Sequence, residues 1–276
     1  MDTQTLQMLK AEATDVRLKT IDCISSFGQG HVGGAMSIVE VITYLYYKEM
    51  NINPEDPSWK ERDRFVLSKG HSGPSVYAIL AKKGYFPIEK LKTLNQGGTM
   101  LPSHCDMTKT PGVDFTVGSL GQGFSGAVGL ALGQKMKGYD NSRVFVIVGD
   151  GESQEGEVWE AAETAGAWKL DNLYAFTDVN GQQLDGYTDN IIPMYGLKQR
   201  YETFGWDSHE IDGHDFQQIE EALEKAKTVK GKPHMIIMHT QKSRGYVFGE
   251  GIEANHSMPI TAEKAEEAKR ILKERD

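Results

Sequence analysis

Cysteine is scarce: Cys23 and Cys105 are the only two in 276 residues, and no CxxC pair is present. That excludes a disulfide framework and a thiolate metal centre, and it indicates a reducing, cytoplasmic setting. Either thiol can serve as a small buried hydrophobe, Cys23 within a helical stretch. Long apolar runs are missing too, since no stretch nears the ~18 residues that a membrane span needs. Positive charge is in deficit, with 30 Lys and Arg against 39 Asp and Glu and a net charge of -9. The bases are scattered among acids, whereas a nucleic-acid face needs clustered Lys and Arg to displace counterions. No repeat, low-complexity tract or Pro/Ser-rich linker divides the chain, and no secretory apolar segment follows Met1-Asp2-Thr3. One domain over residues 1–276 is the simplest organisation.

What is present alternates in period. Residues 4–26 place Leu6, Leu9, Val16, Ile21 and Ile24 at helical spacing and stop at Gly28-Gln29-Gly30; after a Gly-rich turn, a second helix is expected over residues 35–50. Short apolar strands follow at 64–67, 143–148, 173–177, 206–211 and 235–238, separated by helix-compatible sequence. This alternation predicts an α/β fold, a mostly parallel sheet with helices on both faces. The last segment, 261–275, reads as a charged solvated or interface-lining helix fading into Asp276.

The most informative stretch is the strand Val144–Val148 running into Gly149-Asp150-Gly151 and then into a helix expected over 155–168. Ligands of open α/β sheets sit beyond the carboxyl ends of strands, so Asp150 is delivered to the binding edge. The glycines let backbone approach a phosphate, and the next helix offers unpaired N–H groups to an anion. The following strand ends in Asp178-Val179-Asn180-Gly181-Gln182, a loop at the same edge if the strands are parallel neighbours. A carboxylate, an amide oxygen and a backbone carbonyl make a partial octahedral set for Mg²⁺, which phosphate oxygens complete.

Gly149-Asp150-Gly151 through Asn180 resembles the thiamine-diphosphate fingerprint, and Gly149–Gly156 with Asp178–Gly181 resembles transketolases in particular. Gln29–Gly34, Leu67–His71, Gly118–Gly123 and Ile211–Asp215 match transketolase segments in the expected order, so the resemblance covers nearly the whole chain. It implies the diphosphate-binding domain of a thiamine-diphosphate fold. It also implies that Asp150, Asn180 and the Gln182 carbonyl hold Mg²⁺, and that Gly118, Ser119, Leu120, Gly151, Glu152, Asn180, His71 and His256 line the cofactor. The family often has Pro at the position of Ser119, a departure that leaves a backbone role intact.

Eight histidines are present. His209, His234 and His239 lie in or beside strand-like sequence and His214 in a turn, which suits hydrogen-bonded structural roles. His31, His71, His104 and His256 sit in loop sequence, where reactive groups tend to be presented. Ketol transfer needs a proton taken from a hydroxyl as a carbon–carbon bond breaks, and hydrogen bonds to the developing alkoxide. By resemblance these four histidines are the catalytic set.

Transketolases carry a further, pyrimidine-binding domain that supplies an activating carboxylate, and this chain has no room for one after Met258. Either the chain is a piece of a longer transketolase or the enzyme is split in two; the expectation is the N-terminal subunit of a split transketolase, a heterotetramer with a C-terminal subunit, moving a two-carbon ketol unit from a ketose (phosphate) to an aldose. A specialised ketolase, a deoxyxylulose-phosphate-synthase-like enzyme and a non-catalytic α/β binding module are the alternatives. Glu155 and Glu160 are expected at the subunit interface; the bland alternative is that they complement the helix dipole. Asn95, Ser103 and Cys105 stand where transketolases have other residues, Asn95 in place of an Arg. An amide offers a phosphate only neutral hydrogen bonds, so Asn95 implies an altered substrate.

Overall fold

The structure, a computed structural model, describes residues 1–275. Its centre is a five-stranded sheet of β1 (Arg64–Leu67), β2 (Val144–Gly149), β3 (Leu173–Val179), β4 (Asp207–Asp212) and β5 (His234–His239). Every pairing is parallel, in the order β1-β2-β3-β5-β4. All residues of β2 and Leu173–Asp178 of β3 are buried, which requires cover on both faces and explains why these strands read as unbroken apolar runs. The five strands lie within two residues of their expected bounds.

Two groups of helices provide that cover. One contains α5 (Gln122–Met136), α6 (Gly156–Ala167) and α7 (Leu197–Thr203), joined by aromatic contacts of Phe124 with Trp206 and of Trp159 with Tyr201. The other contains α3 (Val39–Tyr44), α4 (Gly73–Lys82) and α8 (Phe216–Thr228), with α1 (Thr3–Phe27) packed on α3 and α4, and α9 (Ala262–Arg275) packed on α1. Asp2 caps α1 by accepting from the Thr5 amide at 2.7 Å, and Gly28, at φ 89°, ends it. The polypeptide then forms a two-residue antiparallel ladder, Gln29-Gly30 against Met258-Pro259. Asp276, where the last helix is expected to fade, lies outside the described residues.

The single helix expected over 35–50 is broken. Helix α2 (Val32–Ser37) starts earlier and takes in Gly33 and Gly34, Ile38 interrupts at φ -101° and ψ 6°, and Leu45–Glu49 closes as a π turn. The glycines are helical because neighbours crowd them: a Cβ on Gly33 would stand 2.5 Å from the Asn255 carbonyl oxygen, and one on Gly34 would stand 2.7 Å from Ser72 Oγ. They are therefore a packing surface for the site rather than a flexible turn.

Candidate functional site

The parallel register aligns Gly149 with Asp178, and Asp178 with Met238, so the residues that follow each strand emerge along one edge. Asp150 leaves β2 there and is buried. Its Oδ2 accepts from the Gly181 amide at 2.7 Å and its Oδ1 from the Gly151 amide at 2.8 Å. Asn180 Oδ1 accepts from the Gln182 amide at 3.2 Å. The 180–182 turn thus ties the Asp150 carboxylate, the Asn180 side chain and the Gln182 backbone amide into one small cradle. Gly151 is obligatory in it, because a Cβ would meet Gln183 Cβ at 2.6 Å. Burial and the neighbouring Asp178 push the Asp150 carboxyl up to about 7.

Three residues beneath this cradle, Lys69, Asp178 and Lys242, have no role assigned from the sequence. Lys69, after β1, donates to Asp178 Oδ2 at 2.6 Å and to the Gly34 carbonyl at 2.9 Å. Asp178 also accepts from Ser37 Oγ at 2.8 Å, Thr240 Oγ1 at 2.5 Å and Asn180 Nδ2 at 2.8 Å. Lys242 is 4% exposed, and its one hydrogen bond among the described residues is a long 3.5 Å contact to the Gln182 carbonyl. Burial, then repulsion from Lys69, draws its ammonium down to about 8. The edge therefore holds a carboxylate, Asp150, and an ammonium, Lys242, neither of which forms an ion pair among the described residues. Among the described residues no three His, Cys, Asp or Glu converge as a metal cluster; the expected Mg²⁺ set contains a single carboxylate and has no such signature.

His31, His71, His104 and His256 come together, with ring centroids of 5.4 Å for His31–His71, 5.7 Å for His31–His104, 5.3 Å for His31–His256 and 4.7 Å for His71–His256. The short ladder explains part of this: pairing Gly30 with Met258 brings the chain at His256 to the chain at His31. Among the described residues none of the four rings hydrogen-bonds to the protein. The other four histidines all face carboxylates: His209 and His234 at Asp207, His214 at Glu40 and His239 at Glu210. Burial lowers the pKa of every ring in the quartet; nearby Lys242 helps bring His256 down to about 4, and His71 falls well below the usual value. The quartet is therefore neutral at pH 7, each ring with one nitrogen that donates and one that accepts.

Gly118 and Ser119 are exposed and Leu120 is half-buried, a loop free to border a ligand. Glu152 is different. Its Oε1 accepts from Ser68 Oγ at 2.5 Å and the Gly121 amide at 2.8 Å, and its Oε2 from the Gly149 amide at 3.0 Å. At 2% exposed it ties the 118–122 loop to β2 and would act on a cofactor only through that loop. Glu155 and Glu160 are exposed at the start and along α6. Asn95 is committed to the protein: it sits at φ 57° and its Oδ1 accepts from Ser103 Oγ at 2.8 Å, next to His104. Cys105 is buried.

Residues 8–274 match the family model described as transketolase, thiamine diphosphate binding domain. The chain belongs to the transketolase family. A 6-deoxy-6-sulfo-D-fructose transketolase subunit of Clostridium sp. (strain MSTE9) is 53% identical over 92% of this chain and 92% of its own length. A subunit of the apulose-4-phosphate transketolase of Phocaeicola vulgatus is 37% identical over 98% of this chain and 95% of its own. Transketolase from Campylobacter jejuni superposes with a TM-score of 0.90 at 31% identity, covering 99% of this chain and 43% of that longer one. The size match is to the subunits. The chain is thus the N-terminal subunit of a split transketolase, and two-carbon ketol transfer by a transferase with thiamine diphosphate is its chemistry. Among the described residues no helix is long and apolar enough to cross a membrane.

Proposed function

We propose that this cytoplasmic transketolase subunit uses Mg²⁺ with thiamine diphosphate and works in a heterotetramer with a pyrimidine-domain subunit, taking its ketol unit from a ketose that ends in a sulfonate. The observation that carries the reading is one edge holding both a buried carboxylate, Asp150, held by two backbone amides, and the quartet His31, His71, His104 and His256, whose rings hydrogen-bond to no described residue.

The residues fit the cofactor and its metal. Asp150, the Asn180 amide oxygen and the Gln182 carbonyl would hold Mg²⁺; Lys242 would meet the diphosphate; Gly151 and the Gly118–Leu120 backbone would border it. When bound, thiamine diphosphate supplies the electron sink that carbon–carbon cleavage requires. The histidines do the rest from this chain: as neutral rings they accept the proton of the hydroxyl next to the breaking bond and donate N–H to the oxygen that becomes negative. A partner surface is favoured by the exposed Leu184, Tyr187, Ile191, Ile192 and Tyr195, which follow the cradle in sequence, with Glu155 and Glu160 at the start and side of α6.

The sulfonate follows from the substrate in the Clostridium relative's name together with Asn95. A phosphate monoester carries roughly -1.5 to -2 at neutral pH, whereas a sulfonate carries a single charge and asks less of an Arg. The test is to reconstitute the two-chain enzyme and compare kcat/KM for 6-deoxy-6-sulfofructose and fructose 6-phosphate with glyceraldehyde 3-phosphate as acceptor. At least tenfold preference for the sulfonated donor is expected. Equal use would leave an ordinary pentose-phosphate transketolase, and transfer from neither donor would refute both.

A further inference from the structure

A cavity of about 930 Å³ lies away from both clusters above, between α1, α9 and the segment 241–250. Its charge is opposite in sign to that of the protein as a whole. Among the described residues the lining includes Lys10, Arg17, Arg244, Lys273 and Arg275 but two acids, Glu40 and Glu250. Arg17 pairs with Glu40 at 2.8 Å and Arg275 with Glu250 at 2.8 Å. Lys10 and Lys273 have no ion pair among the described residues, and Arg244 reaches Glu40 only at 3.8 Å with its side chain 45% exposed. Among the described residues the lining thus carries three more cations than acids, in a chain of net charge -9.

The floor is built, not incidental. Arg17 is 5% exposed; its Nε donates to the Arg244 carbonyl at 3.0 Å and its Nη2 to both Glu40 oxygens at 2.8 Å. His214 holds Glu40 from the other side through Nδ1 at 3.0 Å, with its Nε2 accepting from the Gln241 amide at 2.8 Å. Arg17 Nη1 has no acceptor among the described residues, so a nine-tenths-buried guanidinium that lines the cavity keeps two N–H donors uncommitted. Nη1 is not sealed off, so an anion there replaces water with charge-assisted hydrogen bonds from the guanidinium.

We propose that this cavity binds an organic phosphate of up to nucleotide size, with one phosphate on Arg17 Nη1 and Arg244, and Lys10 and Lys273 steering it. The volume lies within the range of small-molecule sites. The site adjoins the cofactor cleft through its backbone: Arg17 also donates to the Met36 carbonyl at 3.5 Å in α2, and the Ser243 amide donates to the Gly33 carbonyl at 3.0 Å, next to Lys242. Binding here is independent of which ketose the enzyme uses.

The experiment is calorimetry at fixed ionic strength with ATP and with tripolyphosphate, on the wild-type chain and on the double variant Lys10→Glu/Lys273→Glu. Both positions are exposed, so the variant keeps its Tm. Binding weakened at least tenfold in the variant is expected. Arg17→Lys, which keeps the charge beside Glu40 and removes the fork, is expected to weaken it several-fold while the circular dichroism spectrum stays native. Because tripolyphosphate can also enter the diphosphate cleft, heat that the double variant leaves unchanged belongs there and overturns the proposal. So does the absence of binding by either anion.

Discussion

Lys69 Nζ stands 2.6 Å from Asp178 Oδ2, and both side chains are buried, 2% and 0% exposed. The pair joins the carboxyl ends of β1 and β3 across the intervening β2. Because Asp178 Oδ2 also accepts from Asn180 Nδ2, it fixes which way the Asn180 amide faces, leaving Oδ1 on the cradle side. Lys69→Met strands a fully buried carboxylate, a change that costs about 3–5 kcal/mol when one partner of a buried pair is removed. A Tm lower by roughly 6 °C or more is expected by calorimetry, with thiamine-diphosphate affinity reduced at least tenfold. A variant that melts with the wild type and binds the cofactor normally would show the pair to be dispensable.

Asp150→Ala should behave in the opposite way toward stability. Its carboxylate is buried without a cation and beside Asp178, so its loss relieves the chain without cofactor even as it removes the only side-chain carboxylate of the proposed Mg²⁺ set. The expected result is an unchanged or higher Tm with thiamine-diphosphate binding in Mg²⁺ reduced at least ~100-fold, beyond the usual range for residues that only support a ligand. Titration calorimetry that gives the wild-type affinity would exclude Asp150 as a ligand.

The quartet predicts a pH dependence with a definite sign. The folded-state pKa of His256 is near 4, below its unfolded value of about 6.5, through burial and the charges of Lys242 and Lys69, with His31 and His104 adding to it. Between those values the unfolded chain binds more protons, so stability rises with pH there. The contribution is complete above pH 6.5 and is lost as pH falls toward 4. His31, His71 and His104 shift in the same direction. His256→Gln should flatten the fall of Tm between pH 7 and pH 4.5, measured by differential scanning fluorimetry; a parallel profile would mean that His256 is not forced neutral.

How far the sequence reached can be judged from these residues. The five strands, the placement of Asp150 and Asn180 at one edge, and the separation of the loop histidines from the strand histidines were legible, because period, strand ends and local Gly or Ser content encode them. Lys69, Asp178 and Lys242 were not. Their roles arise from contacts 109 and 60 positions apart, between Lys69 and Asp178 and between Lys242 and Gln182, and no local spacing carries such a contact. Gly33 and Gly34 mislead for a related reason: two glycines read locally as a turn, yet here they are helical residues stripped of side chains so that Asn255 and Ser72 can close on them. Resemblance places Glu152 against the cofactor, while its buried oxygens serve Ser68, Gly121 and Gly149.

Glu155 and Glu160 are exposed, and neither forms an ion pair among the described residues. Reversing both, Glu155→Lys/Glu160→Lys, should change the Tm of the isolated chain by little, as surface changes generally do. Association with the proposed pyrimidine-domain subunit should weaken at least tenfold in sedimentation velocity if the two acids lie at the interface. Unaltered assembly would leave them as acids that favour the start of α6 through its dipole.

Asn95 is where substrate reasoning and local structure meet. From sequence, an Arg at this position would be expected to improve the use of phosphate donors. The structure adds two constraints: the backbone is left-handed, at φ 57°, and the side chain holds Ser103, whose neighbour is His104. Asn tolerates that conformation, whereas an Arg there costs roughly 1–2 kcal/mol, and Ser103 loses an acceptor worth about 1 kcal/mol. The amide of Asn95 also donates to the Leu101 carbonyl at 3.0 Å, so strain at 95 is transmitted to the loop that presents His104. Asn95→Arg is therefore expected to lower the Tm by a few degrees and to reduce kcat/KM for the sulfonated donor several-fold, with no compensating gain for xylulose 5-phosphate. Asn95→Gly, which keeps the conformation but drops the bond to Ser103, should fall between wild type and the Arg variant. If instead Asn95→Arg keeps its Tm and raises kcat/KM for xylulose 5-phosphate, the residue is a specificity position at the entrance, and its bond to Ser103 is dispensable.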